Sequence, residues 1–547
     1  MNISRITLDN FDAVVAVTQN SINETLAEFL AQVNPQITLY YAIQDGLPVP
    51  ADDAAKANFI FKGTLNLNFD AKGNPIDIVV LNTGTPNMVL YNMTFSDASF
   101  ELKFDNLKFK TTQSEQPWII SFRVALQYTD AAISDLPAET QKTVNTVTQN
   151  LGFNNFNIQR LYFDLNNVQV DSLQNITGLI PPAEIELKLI MSQYLASLQK
   201  VNGNLVGYWV LYFSPTIPPP SFIPTGINFC VTPYTGSDGK HSNPGLDTLN
   251  YLVTTNNRPM PPVPNGFGFN WVGNENLQGR MAVANRVYVE NLIQVIDGIL
   301  PAISPVPYAH SNDDKDADDQ DIGFNANSSA PGQRSVFNPP QNGVFLEYSY
   351  SNRAFNQSGH FGGASAELKI ASYCKAAYDG QKVKIEGSFA VSAQGSTVDA
   401  FGGTQIATMP EATYAWSVEL LLEIVSKSQD QNKPQYQVLT YSIQNQDFDS
   451  PPTYAPDNES LWDKIISDEG SFSTFAKNPD NIRGNLEQNV ENTIIPALQT
   501  SIQNAGHFIF PGGQTFLFSD ATLTPTGDLV ANITYLAPGA TEKGATA

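Results

Sequence analysis

The sequence predicts an α+β fold of two tandem modules, each a long helix wrapped by a highly curved antiparallel β-sheet. Three observations carry that expectation. Matching amphipathic helix stripes open both halves of the 547-residue chain. Alternating apolar and polar runs, broken by turn signals, fill the space that follows each stripe. A further helical stretch, followed at once by strand-like sequence, closes each half.

The first module is expected over residues 1–213. Ile22, Leu26, Phe29, Leu30 and Val33 fall on one helical stripe, and Pro35 stops it. Strands follow: Leu65, Leu67 and Phe69 alternate with polar residues, as do Phe100, Leu102 and Phe104, and again Leu161, Phe163 and Leu165. Turn signals such as those at 72–75 and 526–528 separate strands in the manner of a meander. A helix over 183–199 follows Pro181 and Pro182, and strand-like residues 205–213 come directly after it. Residues 214–265 then hold eleven prolines, Pro215 and Pro264 being the outermost, which favours extended connection over long helices or interior strands. This stretch reads as a proline-rich linker or arm, pinned to a domain by Phe222, Ile227, Phe229 and Tyr251.

The second module is expected over 266–547. Val287, Tyr288, Leu292, Val295 and Ile296 repeat the opening stripe, ended by Gly298 and Pro301. Placing Ala16 and Val17 on Ala282 and Val283, an offset of 266, also superposes Glu24 on Glu290 and Leu26 on Leu292. The closing helix, with Leu486, Val490, Ile494, Leu498 and Ile502 at a spacing of four, precedes strand-like residues 508–518 at an offset near 300. The difference between the offsets matches an inserted acidic loop near 309–343 in the second copy. A sheet curved around a helix buries one face of every element, and it leaves an apolar tube where the two do not pack tightly.

Composition narrows the function. There are 29 basic and 53 acidic residues, a net charge of −24, so the long-range field opposes nucleic acid and anionic membranes. Neither nucleic-acid binding nor stable membrane insertion is expected. No N-terminal signal core or bilayer-length apolar run is present, which predicts a soluble protein synthesised in the cytoplasm and any release by a non-classical route. Cys230 and Cys374 stand far apart and belong to no short metal or redox motif; whether they pair is open.

Chemistry-bearing motifs are sparse. None of His241, His310, His360 and His507 has another histidine one helical turn away. Gly362, Gly363, Ser365 and Ala366 lack the pattern of a nucleophile elbow, and no phosphate-cradling Gly-Lys-Ser/Thr loop occurs. Asp314, Asp316 and Asp318 begin like a calcium loop, but Asp319 stands at the turn glycine and Asn325 at the bidentate glutamate. A solvated acidic loop is the better reading. No enzyme activity, metal or cofactor is expected from these residues.

Three places resemble a known family. They are the opening in which Ala13 to Val17 run into a helix, its repeat preceded by Phe269, Asn270, Trp271 and Val272, and the close from His507. In that close Phe508, Ile509, Phe510, Pro511, Gly512 and Gly513 lead through Phe516 and Phe518 to Gly527, Asp528, Leu529 and Tyr535. The pattern is similar to the forty-seven-kilodalton accessory proteins of clostridial neurotoxin and insecticidal toxin clusters, within the tubular lipid-binding (TULIP) superfamily. The resemblance implies two TULIP-like modules with lipid able to lie between helix and sheet, and a non-enzymatic accessory role. It assigns no binding role to the 510–513 turn, and neither the 309–343 loop nor the proline arm belongs to the family pattern.

The function expected is therefore binding of a lipid or other hydrophobic small molecule, with Ile22, Leu26, Phe29, Leu30, Leu292, Val295 and Ile296 as wall residues. A structural or assembly component of a toxin complex, acting through protein partners, is the alternative. An insecticidal pore-forming toxin is less favoured, because no amphipathic membrane hairpin stands out and the charge opposes contact with anionic bilayers.

Overall fold

The computed structural model describes residues 8–33, 38–51, 58–65, 76–81, 88–104, 107–136, most of 138–145, 156–200, 205–212, 224–255, 257–273, 277–311, 320–357, 363–398, 402–427, 436–448, 508–509 and 515–536. The described chain is mostly antiparallel sheet with three long helices: α1 (Gln19–Val33), α2 (Pro181–Lys200) and α3 (Asn285–Asp297). A ten-stranded sheet is built mainly from first-half strands, including Met88–Phe104, Trp118–Ala131, Phe156–Gln174 and Leu205–Tyr212. A six-stranded sheet from the second half runs Gln333–Gln341, Val344–Gln357, Ala364–Asp379, Lys382–Val398, Thr404–Lys427, Tyr436–Phe448 in simple meander order.

A further six-stranded sheet, here called the central sheet, is drawn from both halves. Its order is Pro224–Thr232, Thr248–Thr255, Ala13–Thr18, Gly279–Val283, Leu529–Leu536, Thr515–Leu523. The middle pair joins the two openings, with Val14 opposite Ala282, Val15 opposite Met281 and Ala16 opposite Arg280. The sequence offset of 266 maps this ladder onto itself, because Ala16–Arg280 becomes Ala282–Val14 and Val15–Met281 is unchanged. The flanking bonds obey the same exchange: Thr18 N–H donates to Gln278 O, and Ala284 N–H donates to Asp12 O. A second ladder between the halves pairs Tyr208 with Ile509 and Trp209 with Phe508, and an offset of 300 exchanges those two pairs.

Two expectations need correction. The segment 214–265 contributes an edge strand, Pro224–Thr232, and a wholly buried interior strand, Thr248–Thr255. Proline density averaged over the segment hides its proline-free stretches, and the strands lie in two of them, 225–232 after Pro224 and 245–258. Ile227, Phe229 and Tyr251 are indeed held against the core there. The supposed loop at 309–343 is also largely strand: Pro305–Ser311 pairs with Gln320–Ser329, and Gln333–Gln341 forms the edge of the second-half sheet. Its almost uniformly exposed side chains give the edge strand no apolar alternation to read. The acidic residues 313–319, the turn at 72–75, the strand residues 66–69, the closing helix at 486–502 and the 510–513 turn lie outside the described residues.

Elsewhere the period-two pattern reports burial directly. Along Ala364–Asp379, alternate residues from Ala364 to Tyr378 are buried while their neighbours face outward. The buried faces of the central sheet, both long sheets and the three helices join in one continuous apolar core.

The candidate helix–sheet site

Four of the seven predicted wall residues fall where the opening helices meet that core. Ile22 and Leu26 on α1, and Leu292 and Ile296 on α3, are at most 5% exposed and belong to the same apolar cluster as Phe95, Phe122, Ile370 and Phe389 of the long sheets. Phe29 and Leu30 lie within α1 and Val295 within α3, and their side chains are outside the description. The structure thus brings the four described wall residues into one interior. It also gathers several polar residues there that apolar patterning does not reveal.

Helix α1 docks through amide side chains as well as its stripe. Asn23 Nδ2 donates to Val79 O at 2.9 Å while Val79 N–H donates to Asn23 Oδ1 at 2.7 Å, so the side chain pairs like a length of neighbouring strand. One turn earlier, Gln19 Oε1 accepts from Leu81 N–H at 2.8 Å, and Gln19 Nε2 donates to Asp77 Oδ2 at 3.0 Å. Burial raises the Asp77 pKa, and the Gln19 bond partly opposes the shift. Thr18 caps the helix, its hydroxyl accepting the Ser21 N–H.

Around α3 the solution differs. Ala284 stands where a capping side chain would be, and Asp528 Oδ1 accepts the Asn285 N–H at 2.8 Å from the far end of the chain. Asn285 Oδ1 in turn accepts from the Tyr378 hydroxyl. Gly527, at φ +81°, lets that ring pass, since a β-carbon there would stand 2.2 Å from it. The Gly527 and Asp528 of the closing motif therefore seat the second opening helix. Asn270 of the other motif clamps the loop beside it, donating to Thr235 O at 2.7 Å and accepting the Thr235 N–H at 2.9 Å.

Charge at the junction of the halves centres on Asp12, which is fully buried. It accepts from Thr255 N–H at 2.8 Å, Arg286 Nε at 3.0 Å and the Arg258 guanidinium, tying the first strand to an interior strand of the central sheet and to the first turn of α3. His241 Nε2 lies 2.8 Å from Asp247 Oδ1, which also accepts the Tyr234 N–H. Burial raises the Asp247 pKa against the pull of those two bonds. Cys230 and Cys374 are both free and buried, and burial pushes each thiol up to about 12, so neither offers a thiolate near neutrality. Among the described residues, no group of three or more His, Cys, Asp or Glu side chains is placed to hold a metal ion. No helix among them is long and apolar enough to cross a membrane.

No protein-family model and no curated protein sequence matches the chain. Among solved structures, P47 from Clostridium botulinum A2 is similar over 96% of this chain and 98% of its own, with a TM-score of 0.43 and 11% identity. P47 of Clostridium botulinum E1 is similar over 95% and 98%, with a TM-score of 0.43 and 12% identity. The crystal structure of lipopolysaccharide binding protein covers 96% of this chain and 99% of its own, at a TM-score of 0.26 and 7% identity.

Proposed function

We propose that the chain is a non-enzymatic binding protein made of two tandem TULIP-like modules, that it holds a lipid or other hydrophobic small molecule between helix and sheet, and that it serves as a toxin-cluster accessory protein. The observation that carries this reading is the meeting of both helix stripes with one continuous apolar interior. The self-mapping ladder between the two openings supports the tandem arrangement. Binding would draw on apolar burial at roughly 25 cal/mol per Å², with a few polar groups orienting the head of the ligand. Ile22, Leu26, Phe29 and Leu30 would wall one groove, and Leu292, Val295 and Ile296 the other.

Protein purified without detergent should carry a mass excess in native mass spectra that disappears on organic extraction, with a defined lipid in the extract. Phe29→Asp should abolish loading in the first groove. An apo mass that persists after incubation with mixed liposomes would overturn lipid binding. The second reading, assembly with protein partners in a toxin complex, is favoured by Ile185 and Leu189, which stand exposed one turn apart on α2. Co-purification of a partner that Ile185→Glu displaces would support it.

A further inference from the structure

The outer face of the second-half sheet holds a depression of about 400 Å³, on the side opposite the face that joins the apolar core. Tyr373, Lys384, Glu386, Ser388, Ala415 and Ser417 line it. Neighbouring pairs fix the arrangement: Tyr373 sits opposite Ser388, Ser388 opposite Ala415, and Glu386 opposite Ser417. Their strand neighbours Cys374, Ile385, Phe389 and Val418 are buried on the other face, so these six side chains share the outward one, while Gly387 and buried Trp416 complete the lining. Small residues therefore flank an exposed aromatic ring on a rigid sheet.

The charges beside that ring are held in ion pairs. Lys384 Nζ is 2.9 Å from Glu386 Oε2, and Lys375 Nζ is 3.7 Å from Glu386 Oε1. The Lys384 hydrogen bond lowers the Glu386 pKa, keeping the carboxylate ionised. Burial, with Glu347 and Glu386 nearby, raises the pKa of Tyr373 and keeps its phenol neutral. Lys384 also lies in the field of Glu419 and Asp379, so carboxylates outnumber ammonium groups around the depression, in a chain whose net charge is −24. An anion gains little from such a site, and an acyl chain laid over it would desolvate its ion pairs. A neutral polyhydroxylated ring suits both features: its C–H face can lie on the aromatic ring, while vicinal hydroxyls donate to a carboxylate and accept from an ammonium.

We propose that this depression is a second binding site, separate from the helix–sheet interior, that takes a neutral pyranose sugar stacked on Tyr373 and hydrogen-bonded by Glu386 and Lys384. The probe is a panel of methyl glycosides of glucose, galactose, mannose and N-acetylglucosamine, tested against the full chain by saturation-transfer NMR. At least one glycoside should receive transfer concentrated on the ring protons of one face. Tyr373→Ala should weaken binding at least about tenfold, about 1.4 kcal/mol, whereas Tyr373→Phe should retain it. Ala415→Trp fills the depression and should abolish binding; it decides the matter if Tyr373→Ala does not fold. Absence of transfer to every glycoside, or undiminished transfer in a folded Tyr373→Ala or Ala415→Trp protein, would overturn the proposal.

Discussion

Helices α1 and α3 begin at equivalent points of the chain and are held by different chemistry. Under the 266-residue offset, Leu26 corresponds to Leu292, and both are buried in the common core, while Glu24 and Glu290 both face solvent. Yet Thr18, which caps α1 locally, corresponds to Ala284, and α3 takes its cap from Asp528. Asn23, which pairs with the Val79 backbone, corresponds to buried Val289. The apolar stripe sets the position of the helix, and different polar partners seat its first turn in the two halves.

The sharpest test of equivalence is at the shared leucines. Leu26→Ala and Leu292→Ala should each cost about 3 kcal/mol through lost packing and a residual cavity, read from chemical denaturation midpoints. A large difference between them would break the comparison. Exchange of the unlike pair comes next. Asn23→Val strands the Val79 N–H and C=O, and Val289→Asn buries an amide among apolar neighbours, so each should cost about 2 kcal/mol. Stability unchanged by Asn23→Val would show that the strand-like bonds contribute little.

Smaller effects attach to the caps. Thr18→Ala and Asp528→Ala should each cost about 1 kcal/mol, and hydrogen exchange should quicken in the first turn of α1 for one and of α3 for the other. Exchange that quickens at both helices in either variant would mean that the two openings are not independently seated. The last effect is protonic. Because burial raises the Asp77 pKa in the folded state, the folded chain binds this proton more readily than the unfolded chain. Its contribution to stability is therefore fully present at pH below the ordinary aspartate range and declines as pH rises through the folded value. Gln19→Ala removes the bond that opposes the shift, so the Asp77 midpoint followed by carboxyl NMR should move further up. A downward movement would contradict the assigned cause.

How far the sequence carried can be judged from particular residues. The stripe beginning at Ile22 locates α1, which runs Gln19–Val33, and the stripe through Leu292 locates α3. Pro181 and Pro182 mark the start of α2, and the alternations through Phe100 and Phe163 lie in the long strands Met88–Phe104 and Phe156–Gln174. These features are local, and one-dimensional periodicity records them. Gln19 and Asn23 were not legible as buried, because an amide one turn from another reads as a solvent face until its distant partner, here the backbone of Val79 and Leu81, is known. The strand Thr248–Thr255 was obscured by surrounding prolines, and the cap of α3 by the separation of 243 positions from Asn285 to Asp528. At the candidate site, the apolar stripe was visible at Ile22, Leu26, Leu292 and Ile296, but a periodic stripe alone does not distinguish a wall from a filled core.

The ladder between Ala13–Thr18 and Gly279–Val283 also bears on assembly. A strand that meets its own counterpart in a self-complementary antiparallel register is the signature of an isologous dimer seam. Here both sides of the seam belong to one polypeptide, so their encounter is intramolecular and is governed by an effective concentration set by the intervening chain. Dilution cannot part them, and the central sheet needs no second molecule to complete its middle pair.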